Sequence, residues 1–175
     1  MNLIGQPLGQ RILIIGCAGS GKSTLAKKLT QKVNLPIIHL DQYFWKENWG
    51  RPTNEAWGEI VQKLCEKPTW IMDGNYTDTL PLRLKYASSV IFLDIPRWKC
   101  LLRALIRRFR FFHNKKRTDI PEHCKEKLNF SFYSWIWHYP KRSREKTLVL
   151  LEAYSGAKFY LKNKHDIKQF IQELV

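Results

Sequence analysis

A chain of 175 residues with 44% apolar content is long enough to bury the core of one α/β domain and too short for two ordinary ones. Thirty Lys and Arg against 15 Asp and Glu leave a formal charge of +15, a surplus that draws anionic partners or simply keeps the surface soluble. No segment is long and apolar enough to span a bilayer and residues 1–10 lack an export signal, so a cytoplasmic protein with no membrane partner is expected.

The apolar, β-branched run at residues 11–15 predicts a buried strand, and Leu25, Leu29 and Val33 mark a helix after it. Between them lies Gly16-Cys17-Ala18-Gly19-Ser20-Gly21-Lys22-Ser23, followed by Thr24, which satisfies the phosphate-loop pattern G-x-x-x-x-G-K-[ST]. Its glycines let the backbone approach a phosphate, and successive N–H groups with the positive end of the new helix face the anion. Lys22 supplies a compact charge for the β- and γ-phosphates, and the Ser23 hydroxyl suits Mg²⁺. The cofactors expected are ATP and Mg²⁺, with residues 16–24 as the nucleotide cradle.

Residues 36–40 read as a second strand ending at Asp41, followed by a loop over 42–53 that carries Tyr43, Phe44, Trp45 and Trp49. These aromatics either stack on a base or pack in the interior. A helix over 54–66 presents Trp57, Ile60, Val61 and Leu64 on one face, and a third strand at 70–72 ends in Asp73-Gly74-Asn75-Tyr76. A short helix over 80–86 leads to a fourth strand at 89–93, ending at Asp94. The next helix runs from Pro96 to about residue 111, and a basic segment without hydrophobic period follows over 112–119. Pro121 opens a further helical stretch through Trp137, Pro140 interrupts it, and another helix runs to Tyr154 with Gly156 as its stop. A fifth strand at 158–161 and a last amphipathic helix complete one α/β domain over 1–175, with a lid at about 108–125. Alternating strands and helices imply a parallel sheet with right-handed crossovers and ligands beyond the carboxyl ends of its strands.

Asp41, Asp73 and Asp94 all fall at such ends. Asp73 is assigned with Ser23 to Mg²⁺, and Asp41 to the acceptor as general base. Asp94 is read as a cap for the helix at Pro96. No acid is followed by Glu, which argues against a helicase-like motor. Cys17, Cys65, Cys100 and Cys124 show no paired spacing, and His113, His123 and Cys124 match no ligand pattern.

With these motifs in place, the chain resembles the nucleoside monophosphate kinase-like group of P-loop kinases, and more closely the bacterial topology modulation, or FlaR-related, proteins that are also labelled adenylate kinase-like. The resemblance rests on residues 37–41 (IIHLD), 70–76 (WIMDGNY) and 135–142 (WIWHYPKR). It implies strand order 2-3-1-4-5 in a three-layer sandwich, a mobile lid after the fourth strand, and adenine or phosphate contacts from Arg103 and Arg107, which follow Asp94-Ile95-Pro96. Where adenylate kinases carry Asp-Gly-Phe-Pro-Arg, this chain has Asp73-Gly74-Asn75-Tyr76. The arginine that grips a monophosphate is missing there, which argues against AMP as acceptor.

Arg103, Arg107 and Arg110 form one helical stripe opposite Leu101, Leu102, Leu105 and Ile106. It is either a solvated basic face or a set of cations for a transferring phosphoryl group, with Lys115, Lys116 and Arg117 on the lid. Lys141, Arg142 and Arg144 occupy the first turn expected after Pro140, where cations oppose the helix dipole. An anion nearby would explain them, so Arg142 or Arg144 is expected on a phosphate. Asn163-Lys164-His165-Asp166 spells a guanine motif, but the D-x-x-G partner is absent, so Asn163 is read as a turn residue and Asp166 as a helix-start acid. The leading reading is a kinase that transfers the γ-phosphoryl of Mg-ATP to an anionic small molecule or nucleotide. Its rival is a nucleic-acid-binding P-loop NTPase acting in DNA topology.

Overall fold

The computed structural model describes residues 8–111, 121 and 130–174. Five strands, β1 (Arg11–Gly16), β2 (Ile37–His39), β3 (Trp70–Asp73), β4 (Ser89–Leu93) and β5 (Ala157–Leu161), pair in parallel in the order β2-β3-β1-β4-β5. This is the order that the resemblance implies. Around the sheet lie α1 (Lys22–Val33), α2 (Leu40–Phe44), α3 (Asn54–Cys65), α4 (Leu80–Tyr86), α5 (Arg97–Phe111), α6 (Phe130–Trp137), α7 (Glu145–Ala153) and α8 (Lys164–Gln172).

The central strand explains the layering. Successive side chains of a strand point to opposite faces, so Ile12 and Ile14 go one way and Leu13 and Ile15 the other. All four are fully buried. Ile12 and Ile14 pack with Leu25 and Leu29 of α1, Cys100 of α5, Ile136 of α6 and Phe170 of α8. Leu13 and Ile15 pack with Trp57 and Val61 of α3, Leu84 of α4 and Leu151 of α7. Each fully buried aliphatic side chain contributes about 1.5–3 kcal/mol, so a strand covered on both sides is the anchor of the sandwich. Its carboxyl end therefore emerges at a fixed place, and the phosphate loop starts there.

Three local expectations need correction. Residues 42–53 are not simply a loop: β2 stops at His39, Leu40 opens α2, and a 3₁₀ turn spans Glu47–Trp49. Pro140 does not interrupt the helix. Tyr139 keeps helical angles (φ −49°, ψ −42°), the Arg142 N–H donates to the His138 carbonyl, and Pro140–Arg144 widen into a π turn that feeds α7. Proline has no N–H for the carbonyl four residues back, and its ring pushes that carbonyl aside, which is how a π turn is made. Gly156 is not the stop either, because α7 ends where Tyr154 turns extended. The expected lid, with His113, Lys115, Lys116, Arg117, His123 and Cys124, lies outside the described residues beyond Phe111, as does the Arg110 side chain.

Candidate active site

The phosphate loop joins β1 to α1. Gly16, Gly19 and Gly21 all have positive φ (145°, 81° and 104°). At Gly19 the reason is also contact: a Cβ there would lie 2.3 Å from the Cys100 carbonyl oxygen of α5. Gly21 caps α1 in the left-handed conformation, and a Cβ there would meet nothing within 4 Å, so its side of the loop is open. The first turn of a helix leaves N–H groups without intrahelical partners, and here Lys22, Ser23 and the exposed Thr24 make up that turn. Lys22 Nζ donates to the carbonyls of Gly16 and Cys17, both at 3.0 Å, which holds the ammonium over the loop. Ser20 Oγ is buried and, among the described residues, finds no hydrogen-bond partner. Open backbone donors, a held ammonium and an orphaned hydroxyl fit the polyphosphate of a nucleotide.

Cys17 and Ala18 complete the loop. Hydrogen bonding with Cys100 and burial push the Cys17 thiol well above its ordinary pKa, so it sits beside the phosphate position without charge. Its Sγ points at the Ile136 carbonyl, 4.0 Å away. That carbonyl is the one Pro140, four residues on, cannot satisfy, so the proline of the π turn leaves an acceptor facing the loop.

The acidic strand tips form a network of side chains. Asp73 ends β3, in register with Ile14 of β1 and His39 of β2. His39 Nδ1 donates to Asp73 Oδ1 at 2.7 Å, and both residues are buried. The helix α1, which carries Ser23 in its first turn, packs on β3, so Ser23 and Asp73 flank the same end of the sheet. Among the described residues no cluster of three or more His, Cys, Asp or Glu forms a metal site. A hydroxyl and one carboxylate are the sparse donor set that Mg²⁺ uses when phosphates and water supply the rest. Asp41 lies in the first turn of α2, where Tyr76 Oη donates to its Oδ1 at 2.6 Å. Burial and the adjacent Asp41 carboxylate hold the Tyr76 phenol far above its usual pKa, so it is always a donor.

Tyr76 in turn packs against Phe44 and Trp57, with ring centroids 4.6 and 4.8 Å apart. Phe44 thus belongs to the interior, whereas Tyr43 is exposed and Trp45 packs edge-on against Trp49 under the Arg51 guanidinium. Behind this network Arg83 is fully buried and donates to the carbonyls of Gly74 and Tyr76. Burial lowers its pKa to about 10, which leaves it charged at neutral pH.

The cations divide into two sets. Arg103 of α5 donates from Nη1 to the Ser20 carbonyl at 3.0 Å, and Arg107 follows one turn later, half-buried. Arg103 is therefore not part of a solvated face: it turns inward to the loop while Leu102 and Ile106 are exposed. Arg142 stacks 4.1 Å over the Trp135 ring and lies within electrostatic range of Cys17. Arg144 grips Asp94 with two hydrogen bonds, at 2.6 and 2.7 Å. Asp94 is thus an ion-pair partner and not a helix cap, and its bond raises the Arg144 pKa. The dipole argument for Lys141, Arg142 and Arg144 also falls, because they line a π turn inside a continuing helical path. Asn163 caps α8 by accepting from the Asp166 N–H at 3.0 Å, and Asp166 accepts from the Lys162 N–H at 2.7 Å. The guanine-like string is a reciprocal helix cap.

Four site residues escaped the sequence reading: His39, Tyr76, Arg83 and Cys100. His39 and Tyr76 sit inside recognised strand-end motifs, but only strand register reveals their partners. Arg83 carries no sequence signal at all.

No family model matches the chain, and no curated protein matches it in sequence. Solved structures do. The shikimate kinase of Acinetobacter baumannii, in complex with shikimate, superposes with a TM-score of 0.63 at 13% identity, over 94% of this chain and 90% of that one. The shikimate kinase of Bacteroides thetaiotaomicron gives 0.55 at 19% identity, over 94% and 95%. A gluconokinase from Sinorhizobium meliloti gives 0.54 at 13%, over 97% and 91%. At such identities the likeness is one of architecture: the chain has the parallel five-stranded fold of P-loop kinases.

Proposed function

We propose that this chain is a cytoplasmic, ATP-dependent phosphotransferase of the nucleoside monophosphate kinase-like group. It moves a γ-phosphoryl group to a hydroxyl of a small-molecule or nucleotide acceptor. The observation that carries this reading is the loop itself: glycines at positive φ, an open side at Gly21, and Lys22 held on the Gly16 and Cys17 carbonyls. The fold neighbours, two shikimate kinases and a gluconokinase, support a kinase over a motor.

In this reading the loop N–H groups and Lys22 hold the β- and γ-phosphates, and Arg103 braces the loop through the Ser20 carbonyl. Ser23 and Asp73 would hold Mg²⁺, which neutralises phosphate charge when bound. Asp41 takes the proton of the acceptor hydroxyl as that oxygen bonds to phosphorus and ADP leaves. Arg107, Arg142 and Arg144 are the cations assigned to the charge on the transferring group. Arg83, beside the Asp73-Gly74 motif, is bound to backbone carbonyls in the interior, which supports an acceptor other than AMP.

Calorimetry with Mg-ATP tests the donor half: binding requires Mg²⁺ and weakens at least about a hundredfold in Lys22→Ala. Binding without Mg²⁺ dependence, or undiminished in that variant, would refute the assignment. A screen for ADP release over nucleoside monophosphates, nucleosides, sugars and oligonucleotides identifies the acceptor. The rival reading, a nucleotide-regulated DNA-binding protein of the topology modulation kind, draws on the charge of +15. Steeply salt-dependent duplex binding without any phosphorylated acceptor would favour it.

A further inference from the structure

The helix α5 has an outer face that the phosphate site does not use. Its inner side buries Cys100 and Ala104 against the sheet. On the outer side Trp98, Leu102, Ile106 and Phe109 are 56, 51, 49 and 78% exposed. Their spacing of four, four and three residues puts them on one stripe, about 16 Å long at 1.5 Å per residue. The helix carries no acid; Arg103 and Arg107 are assigned to the phosphate site, and Arg97 and Lys99 flank the stripe at its start, with Lys99 5.1 Å from the Trp98 ring. The stripe widens onto α6, which carries no charge of its own. Arg97, at the start of α5, donates to the Trp137 carbonyl at 3.1 Å and stacks 4.1 Å over its ring, which fixes that exposed indole against the first turn of α5.

We propose that this face docks on the surface of an anionic lipid bilayer. The chemistry selects that partner over the alternatives. A two-fold second copy would bring two all-cationic helices together with no acid between them. A nucleic acid would engage the cations and stack on the aromatic rings, but it offers no apolar surface to Leu102 and Ile106, which sit mid-stripe. An anionic bilayer offers both at once: negative headgroups for the basic flank, and acyl chains at the depth of the indole, leucine and isoleucine side chains. No helix among the described residues can cross a membrane, and a peripheral face needs none. The interaction is independent of catalysis, since Trp98, Leu102, Ile106 and Phe109 have no part in the phosphate site.

The test is co-sedimentation of the full chain with vesicles of mixed phosphatidylcholine and phosphatidylglycerol, against vesicles of phosphatidylcholine alone. Partition is expected to be at least about tenfold higher on the anionic vesicles, and to fall about tenfold in the exposed double variant Leu102→Gln, Ile106→Gln. Brominated acyl chains are expected to quench tryptophan fluorescence, with the quench reduced in Trp98→Phe, a variant that leaves the helix and its charges unchanged. Equal partition on both vesicles overturns the proposal. So does anionic binding that neither the double variant nor Trp98→Phe alters, which would be electrostatic attraction without insertion. Duplex DNA binding that the double variant weakens, or a dimer that it dissociates, would assign the stripe to those partners instead.

Discussion

At one end of the sheet two half-sites meet, and they are made differently. The donor side, residues 16–24, is backbone: three positive-φ glycines, first-turn N–H groups and a lysine resting on loop carbonyls. The acceptor side, at the tips of β2 and β3, is a relay of side chains: His39 on Asp73, Tyr76 on Asp41, and Arg83 beneath them on the Gly74 and Tyr76 carbonyls. Backbone recognition demands particular residue types in a fixed order within one short stretch. Side-chain recognition demands only that residues far apart in sequence meet, and Asp41 and Tyr76 are 35 positions apart. On the proposed function, the first half is generic for a nucleotide and the second is where specificity for the acceptor would reside.

The largest effect should come from separating the halves by function. Asp41→Asn keeps the size of the side chain and still accepts from Tyr76 through its amide oxygen, but it cannot take a proton. Turnover of the acceptor found in the screen should fall about 10²- to 10⁴-fold while calorimetric Mg-ATP affinity stays within a factor of about two. If affinity fell with turnover, Asp41 would belong to the donor side and the division would be drawn in the wrong place.

Next comes a change that adds one methyl group to the donor side. Gly19→Ala would place a Cβ 2.3 Å from the Cys100 carbonyl oxygen at a φ of 81°. Backbone strain and overpacking together should cost about 2–4 kcal/mol, read as a drop in denaturation midpoint, and Mg-ATP affinity should fall with it. Gly21→Ala makes the informative control. Its Cβ meets nothing, so only the φ penalty remains, and the loss of stability should be about half as large.

This contrast also sets how much of the molecule could be read from residues alone. The strands and the phosphate loop were legible because buried apolar runs and glycine-lysine spacing are local signals, whereas the sheet order came only with the resemblance. The resemblance pointed to Arg103 as a residue near the phosphates, and its side chain does reach the phosphate loop at the Ser20 carbonyl. The pairing of Asp94 with Arg144 was not, since the two are 50 residues apart and a strand-end acid before proline reads as a cap. Pro140 misled for a related reason. A proline normally ends a helix, but here Ile136 and Tyr139 are buried against the core, and their packing holds the path helical while the ring opens a π turn. The leucines of α5 do not by themselves show which side the sheet covers: Leu102 and Ile106 are exposed while Cys100 and Ala104 face the core.

A smaller effect probes the acceptor relay. Tyr76→Phe removes the hydroxyl that donates to Asp41 but keeps the ring packed against Phe44 and Trp57. Loss of one hydrogen bond to a charged group predicts about 1.5–3 kcal/mol at full burial, and Tyr76 is only partly buried, so about 1–2 kcal/mol is expected in denaturant titration. Mg-ATP affinity should not move. If Tyr76 orients Asp41, the acceptor's kcat should fall with little change in its KM; a KM effect alone would place the phenol in acceptor binding instead.

The smallest expected effect tests a string that looks like donor recognition but is built as structure. Asn163 Oδ1 accepts from the Asp166 N–H, and Asp166 answers by accepting from the Lys162 N–H, so both side chains are engaged in starting α8. Asn163→Ala should cost about 1 kcal/mol, the usual loss for a helix cap, and leave the ratio of ATP to GTP affinity unchanged. A guanine reader would behave in the opposite way, since its asparagine and aspartate must face the base and not each other. A shift of more than about tenfold in that ratio would mean that the cap opens to admit a base, because such discrimination needs about 1.4 kcal/mol of side-chain contact. The donor half would then read side chains as well as backbone, and the difference between the two halves would be one of degree.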